Sequence, residues 1–208
     1  MTTKDFKNAR FCEEKEGIYR LKVPFDTLYT SIFLLVCDGR KILLDTASNA
    51  QDVDRYLTAA LDGMGLALSN VDTVVLSHGH TDHAGGLARI LELAPTIAVV
   101  RDVCRLTEQI TVYHMSGHTK DSVGIFDART GTLIAADGLQ GAGIDRYRVA
   151  LEDIDAYRAT IERVRQDETI QEILFSHAYE PWYRDHACGR DEILRCLSDC
   201  EANINISK

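Results

Sequence analysis

No window of this 208-residue chain approaches the roughly 18 consecutive apolar residues of a membrane-spanning helix, and its opening MTTKDFKNARFCEEKEG lacks the apolar stretch of a secretion signal. The expectation is a cytoplasmic protein that engages no membrane. Basic charge is not in excess either: 23 Lys and Arg stand against 32 Asp and Glu, a formal net charge of -9. Such a surface repels a phosphate backbone, which argues against nucleic acid as a partner and favours a small molecule. The six cysteines (Cys12, Cys37, Cys104, Cys188, Cys196 and Cys200) are too scattered for a disulfide scaffold. Repeats of fixed period, low-complexity tracts and Pro- or Ser-rich linkers are absent, so one domain over residues 1–208 is expected. With 45% hydrophobic residues the chain can bury a sizeable core. Oligomeric state is not legible.

What is present alternates between strand and helix signals. SIFLLVC (31–37), an Asp-Gly turn and KILLDT (41–46) predict a hairpin with Asp45 at a strand end. Val53, Tyr56, Leu57 and Leu61 have helical spacing, stopped by the glycines at 63–65. VDTVVLS (71–77) reads as a buried strand whose apolar run ends in HGHTDHAGG, expected as a strand-to-helix loop. Leu87, Ile90 and Leu91 resume a helix until Pro95. TIAVVR (96–101), QITVYHM (109–115), SVGIFDA (122–128), TLIAAD (132–137) and IQEILFS (170–176) predict further strands. Ile154, Tyr157, Ile161 and Val164 mark an amphipathic helix, and Asp191 opens a closing one. Residues 138–143, with three glycines in six, predict a loop directly after Asp137. Cys196 and Cys200, four apart on the closing helix, make no tetrahedral site alone and are read as structural thiols.

The chemistry concentrates in HGHTDH. Imidazoles at 78, 80 and 83 and a carboxylate at 82 fall within six residues, all of them ligand types for zinc, iron or manganese. A turn can aim alternate residues in different directions, so His78 and His80 can serve one ion while Asp82 and His83 serve its neighbour.

His78-Gly79-His80-Thr81-Asp82-His83 resembles the HxHxDH signature of the metallo-β-lactamase superfamily, and Gly85-Gly86 follows as it often does there. SGHTKDSVG (116–124), LIAADGL (133–139) and LFSHAYEP (174–181) are similar to the family's later ligand segments, matched by His118, Asp137 and His177. KILLDTA (41–47) resembles its early Asp-Thr-Gly strand, with Ala47 in place of the glycine. The resemblance implies an α/β (α+β) fold of the αββα sandwich type, two mixed β-sheets flanked by helices. It implies two divalent metal ions per chain, zinc first and iron or manganese as alternatives. His78, His80 and His118 would hold one ion, Asp82, His83 and His177 the other, and Asp137 would bridge them. A hydroxide shared between the ions would be the nucleophile, Asp82 would orient it as the catalytic carboxylate, and Asp45 would be a supporting carboxylate or a turn cap.

His80 stands where the diiron redox branch carries a carboxylate, which favours hydrolysis, and Asp137 stands where well-known zinc β-lactamases carry cysteine, which argues against antibiotic hydrolysis. The pattern is more similar to glyoxalase II and the lactonases. Glyoxalase II has a C-terminal helical domain, whereas 31 residues follow His177 here, room for one or two helices. The expected activity is hydrolysis of a small thioester, lactone or ester. Competing expectations are a mononuclear iron persulfide dioxygenase using His78, His118 and Asp137, a phosphodiesterase, and a regulatory protein that keeps the fold without turnover. Tyr29, Gln140, Tyr147, Tyr179, Glu180 and Trp182 lie near motif ends and receive no role, and His114 and His186 are left outside the site.

Overall fold

A two-residue turn at Asp38-Gly39, both at positive φ (52° and 73°), joins strands β3 (Leu28–Cys37) and β4 (Arg40–Leu44). Positive φ at both central residues matches the right-handed twist of the paired strands, and Asp-Gly meets that demand cheaply. The computed structural model describes residues 9–140, 151–178 and 183–206. They form two compact units, one ending at Arg101 and the other starting at Asp102.

The first unit holds a six-stranded mixed sheet. Strand β1 (Cys12–Lys15) pairs antiparallel with β2 (Ile18–Phe25), β2 with β3 and β3 with β4; β4 then pairs parallel with β5 (Thr73–Val75), and β5 with β6 (Ala98–Val100). Parallel neighbours need crossovers, and helices supply them. Between β4 and β5 runs α1 (Ala50–Asp52), capped by the Asn49 side chain accepting from Asp52 N at 3.0 Å. It passes through a π turn (Val53–Leu57) into α2 (Thr58–Asp62). Between β5 and β6 lie α3 (Thr81–Ala84) and α4 (Leu87–Leu93). Leu21, Val23, Leu34, Leu43, Val53, Leu57, Leu61, Val74 and Ile90 belong to one buried cluster beneath them.

The second unit holds a five-stranded mixed sheet in the order β11 (His186–Cys188), β10 (Glu172–Phe175), β9 (Thr132–Ala136), β8 (Val123–Asp127), β7 (Ile110–His114). Only β9 and β10 are parallel, and α5 (Ile154–Gln166) lies in the connection between them. Asp153 caps α5 by accepting from Ala156 N at 2.9 Å, and Arg163 and Arg165 occupy its last turn, where cations suit the helix dipole. Buried Tyr157, Ile161 and Val164 of α5 pack in one cluster with Ile193, Cys196, Leu197, Cys200 and Ile204 of α6 (Arg190–Ile206).

The two mixed sheets and their helices match the expected fold class. Three strands, β1, β2 and β11, went unforeseen. The HTDH segment differs from the expected loop: Thr81 to Ala84 form a short helix with His80 at its N-cap, so Asp82 sits in a first turn, where a carboxylate complements the exposed backbone N–H groups. Of the loop expected at 138–143, residues 141–143 lie outside the described residues, while Gly138 to Gln140 are buried. Tyr147, Tyr179, Glu180 and Trp182 also lie outside them. Among the described residues no helix is long and apolar enough to cross a membrane.

Ala47, which stands where the motif it resembles has glycine, takes the left-handed conformation (φ 74°), and its carbonyl accepts from Gly86 N at 2.9 Å. Ala47→Gly is expected to change stability by less than about 1 kcal/mol in chemical denaturation. Relief of about 1–2 kcal/mol of left-handed strain is offset by about 0.4–1 kcal/mol of extra unfolded-chain freedom and by about 0.8 kcal/mol for the lost buried methyl.

Candidate functional site

In both units the polar residues sit just past the C-terminal ends of adjacent parallel strands, where ligands of open α/β sheets bind. In the first, Leu44 of β4 is level with Val75 of β5, so Asp45 and Ser77 emerge side by side, and Asp45 N donates to Val75 O at 2.9 Å. In the second, Ala136 of β9 is level with Phe175 of β10, which brings Asp137 and His177 out together.

His78, His80, Asp82 and His83 all gather in the first unit. The His78 ring lies 4.6 Å from that of His80 and 4.2 Å from that of His83, centroid to centroid. His78, Asp82 and His83 are buried and His80 is exposed. Beneath them Asp45, fully buried, accepts from Ser77 N (2.8 Å) and Ser77 Oγ (2.8 Å) and is 2.7 Å from His83 Nδ1. Because a carboxylate only accepts, that last contact puts a proton of His83 on Nδ1 and leaves Nε2 as the ring nitrogen that could meet a metal ion. Asp45 thus holds the His83 ring and the Ser77 hydroxyl as well as a backbone N–H, which is more than a turn cap does. Thr46 Oγ1 donates to His83 O at 2.7 Å, and Thr30 Oγ1 donates to Asp82 Oδ2 at 2.8 Å.

Asp82 Oδ2 stands 3.1 Å from His83 Nε2. The two atoms lie close enough for one cation to take up both. Imidazole and carboxylate at such separations are donors that zinc, iron or manganese accept, so the residues fit a divalent ion.

His118, Asp137 and His177 gather in the second unit, all buried. Asp137 Oδ2 lies 3.6 Å from His118 Nε2, and its other oxygen, Oδ1, lies 3.3 Å from His177 Nε2. His118 sits in the loop between β7 and β8, tied to the start of α5 by Glu152 N donating to His118 O (3.2 Å) and Asp153 N to Gly117 O (3.1 Å). Thr119 N donates to Ser122 Oγ at 3.1 Å, closing the same loop.

The chain following Asp137 is anchored at Gln140, whose N donates to Tyr157 Oη (3.4 Å) and whose carbonyl accepts from Cys200 Sγ (3.2 Å). Burial pushes the Tyr157 phenol well above its ordinary pKa, so it stays neutral. The Cys196 thiol is likewise raised, by the hydrogen bond it donates to Cys200 and by burial, and the same bond lowers that of Cys200. Both thiols are buried in the core cluster, and no disulfide joins any of the six cysteines. His114, bonded to Ser116 Oγ at 2.9 Å, and the exposed His186 beside Asp185 are separate from the ligand groups. Tyr29 is buried, with Lys22 Nζ 4.5 Å from its ring.

Sequence reasoning missed Thr30, Thr46 and Ser77. Ser77 carried a signal in its place directly before the first histidine and Thr46 in its place after Asp45; Thr30 lies 52 residues from the aspartate it holds.

Comparison with known proteins bears on the same residues. The family model described as metallo-beta-lactamase superfamily matches residues 25–103, which contain Asp45 and the whole HGHTDH segment. A beta-lactamase-like protein 2 homolog from Drosophila melanogaster is 28% identical over 166 residues, covering 65% of this chain and 54% of that protein. Thioesterase pkgB from Emericella nidulans is 26% identical over 146 residues, 64% of this chain and 41% of its own length. The chain thus spans about half the length of the curated relatives it matches. Among solved structures, the metallo-beta-lactamase FIM-1 from Pseudomonas aeruginosa in its mono-zinc form superposes with a TM-score of 0.72 at 14% identity, covering 94% of this chain and 96% of that one. In the segment that carries the HGHTDH motif the chain is thus similar to the metallo-β-lactamase superfamily, and it shares the fold of solved metallo-β-lactamases.

Proposed function

We propose that the protein is a metal-dependent hydrolase of a small thioester, lactone or ester that works with two divalent ions. His78, His80 and His118 hold one divalent ion, Asp82, His83 and His177 hold the second, and Asp137 bridges. The observation that carries this reading is the division of labour within Asp137: one carboxylate oxygen faces His118 and the other faces His177, two imidazoles assigned to different ions. A carboxylate so placed can join two cations about 3.5–4 Å apart. Zinc is the first choice of metal, supported by the imidazole-rich donor set and by the mono-zinc form of a structural neighbour.

When bound, two such ions supply a hydroxide at neutral pH and polarise the substrate carbonyl. The chain's own residues prepare that chemistry. Asp45 fixes the tautomer of His83, and Thr30 occupies one face of Asp82 Oδ2, which restricts how this carboxylate presents itself to a reacting water. A thioester or related acyl substrate is favoured by the relative named a thioesterase and by the net charge of -9, which disfavours a polyanion.

Elemental analysis of protein purified without added metal tests the reading. Two equivalents per chain are expected, together with anaerobic turnover of a thioester and lactone panel that a chelator abolishes and zinc restores. A single iron with oxygen consumption would replace hydrolysis by the persulfide dioxygenase, and no metal under any loading condition would sink the site.

A further inference from the structure

Ser77 Oγ stands among three partners: Asp45 Oδ2 at 2.8 Å, His78 Nδ1 at 3.0 Å and His83 Nδ1 at 3.4 Å. Serine is fully buried there, as is Asp45. A hydroxyl has one proton and two lone pairs, and the carboxylate can only accept. The proton of Ser77 therefore goes to Asp45, and Ser77 must accept from His78. His83, whose Nδ1 is 2.7 Å from Asp45, gives its own proton to that carboxylate in preference to the more distant hydroxyl.

We infer that Ser77 is a positioning residue that extends the reach of Asp45 to a second imidazole, so that one buried carboxylate sets the tautomer of both His78 and His83. Directly for His83, and through the Ser77 hydroxyl for His78, Nδ1 carries the proton and Nε2 is left to ligate. This rests on the assignment of His78 and His83 to different ions proposed above. The consequence is an asymmetry: loss of the hydroxyl releases His78 alone, whereas His83 keeps its direct contact with Asp45.

The tautomer can be read without any metal. In nitrogen-15 histidine NMR of the metal-free protein, at a pH above the ordinary histidine range, the parent is expected to show His78 and His83 both protonated on Nδ1. Ser77→Ala, which fits the same space, is expected to lose the single tautomer at His78 and keep it at His83, and Ser77→Thr to restore it. In zinc competition against a chromogenic chelator, Ser77→Ala is expected to weaken one binding step about 10–100-fold, the range for loss of a ligand's supporting partner, and to leave the other unchanged. Retention of the His78 tautomer in Ser77→Ala, or equal weakening of both steps, overturns the inference. A parent that binds no zinc yet shows the expected tautomers would overturn the dinuclear reading and leave the role of Ser77 standing.

Discussion

Replacing Asp137 with alanine is expected to remove both metal ions at once and to lower turnover by more than about 100-fold, beyond the range seen when only a ligand's supporting partner is lost. Each of the other six ligands serves one ion in the proposed site, so a change such as His80→Ala should leave one equivalent bound. Asp137 differs because its two oxygens face imidazoles of different ions, 3.6 Å and 3.3 Å away. Thermal denaturation separates the effect from misfolding. An ion at 100 times its dissociation constant stabilises the folded state by about 2.7 kcal/mol, so the parent's melting temperature should rise with zinc. That of Asp137→Ala should not, while its metal-free melt stays near the parent's. One retained equivalent in Asp137→Ala would show that the carboxylate serves a single ion, and its bridging role would fall.

The same asymmetry explains why the ligands were legible in the sequence and their supports were not. His78, His80, Asp82 and His83 crowd into six positions, and so dense a cluster of potential metal donors is hard to reach by chance. Thr30 does comparable positioning work, but a single hydroxyl has no spacing to betray it, and Thr30 reaches Asp82 only because β3 runs past α3 in the folded unit. Asp45 was readable as a strand-end carboxylate, yet its contact with His83, 38 residues on, depends on the parallel pairing of β4 with β5.

The fold divides along similar lines. Strands with continuous apolar runs, such as β3 and β9, declared themselves, because burial writes itself into consecutive residues. Strand β2 did not: Arg20, buried against Phe33 with its guanidinium 5.1 Å from the ring centroid, puts a charge where alternation calls for an apolar residue. The polar edge strand β1 and the three-residue β11 were too weak a pattern to register. The short helix α3 was hidden because its four residues, TDHA, are chosen for ligation and have no apolar periodicity.

Gly117→Ala is expected to be strongly destabilising although Gly117 offers no side chain to the site. Gly117 has φ 138°, and a Cβ built on it would fall 2.4 Å from Tyr157 Cβ and 2.7 Å from Tyr157 N. Tyr157 belongs to the first turn of α5 and cannot retreat: its N donates to Asp153 O at 3.0 Å, and Asp153 N donates back to Gly117 O at 3.1 Å. The unfavourable backbone costs about 1–3 kcal/mol and the overpacking about 1–3 kcal/mol more, a large share of the roughly 5–15 kcal/mol that holds a domain folded. Gly39→Ala is the control. Gly39 also has positive φ (73°), but nothing lies within 4 Å of its added Cβ, so only the left-handed penalty of about 1–2 kcal/mol applies. The difference between the two variants in denaturant midpoint therefore isolates the close approach to Tyr157. Equal losses would refute that approach. A larger loss in Gly117→Ala, accompanied by weaker zinc retention, would tie the position of His118 to the helix start that its loop is built upon.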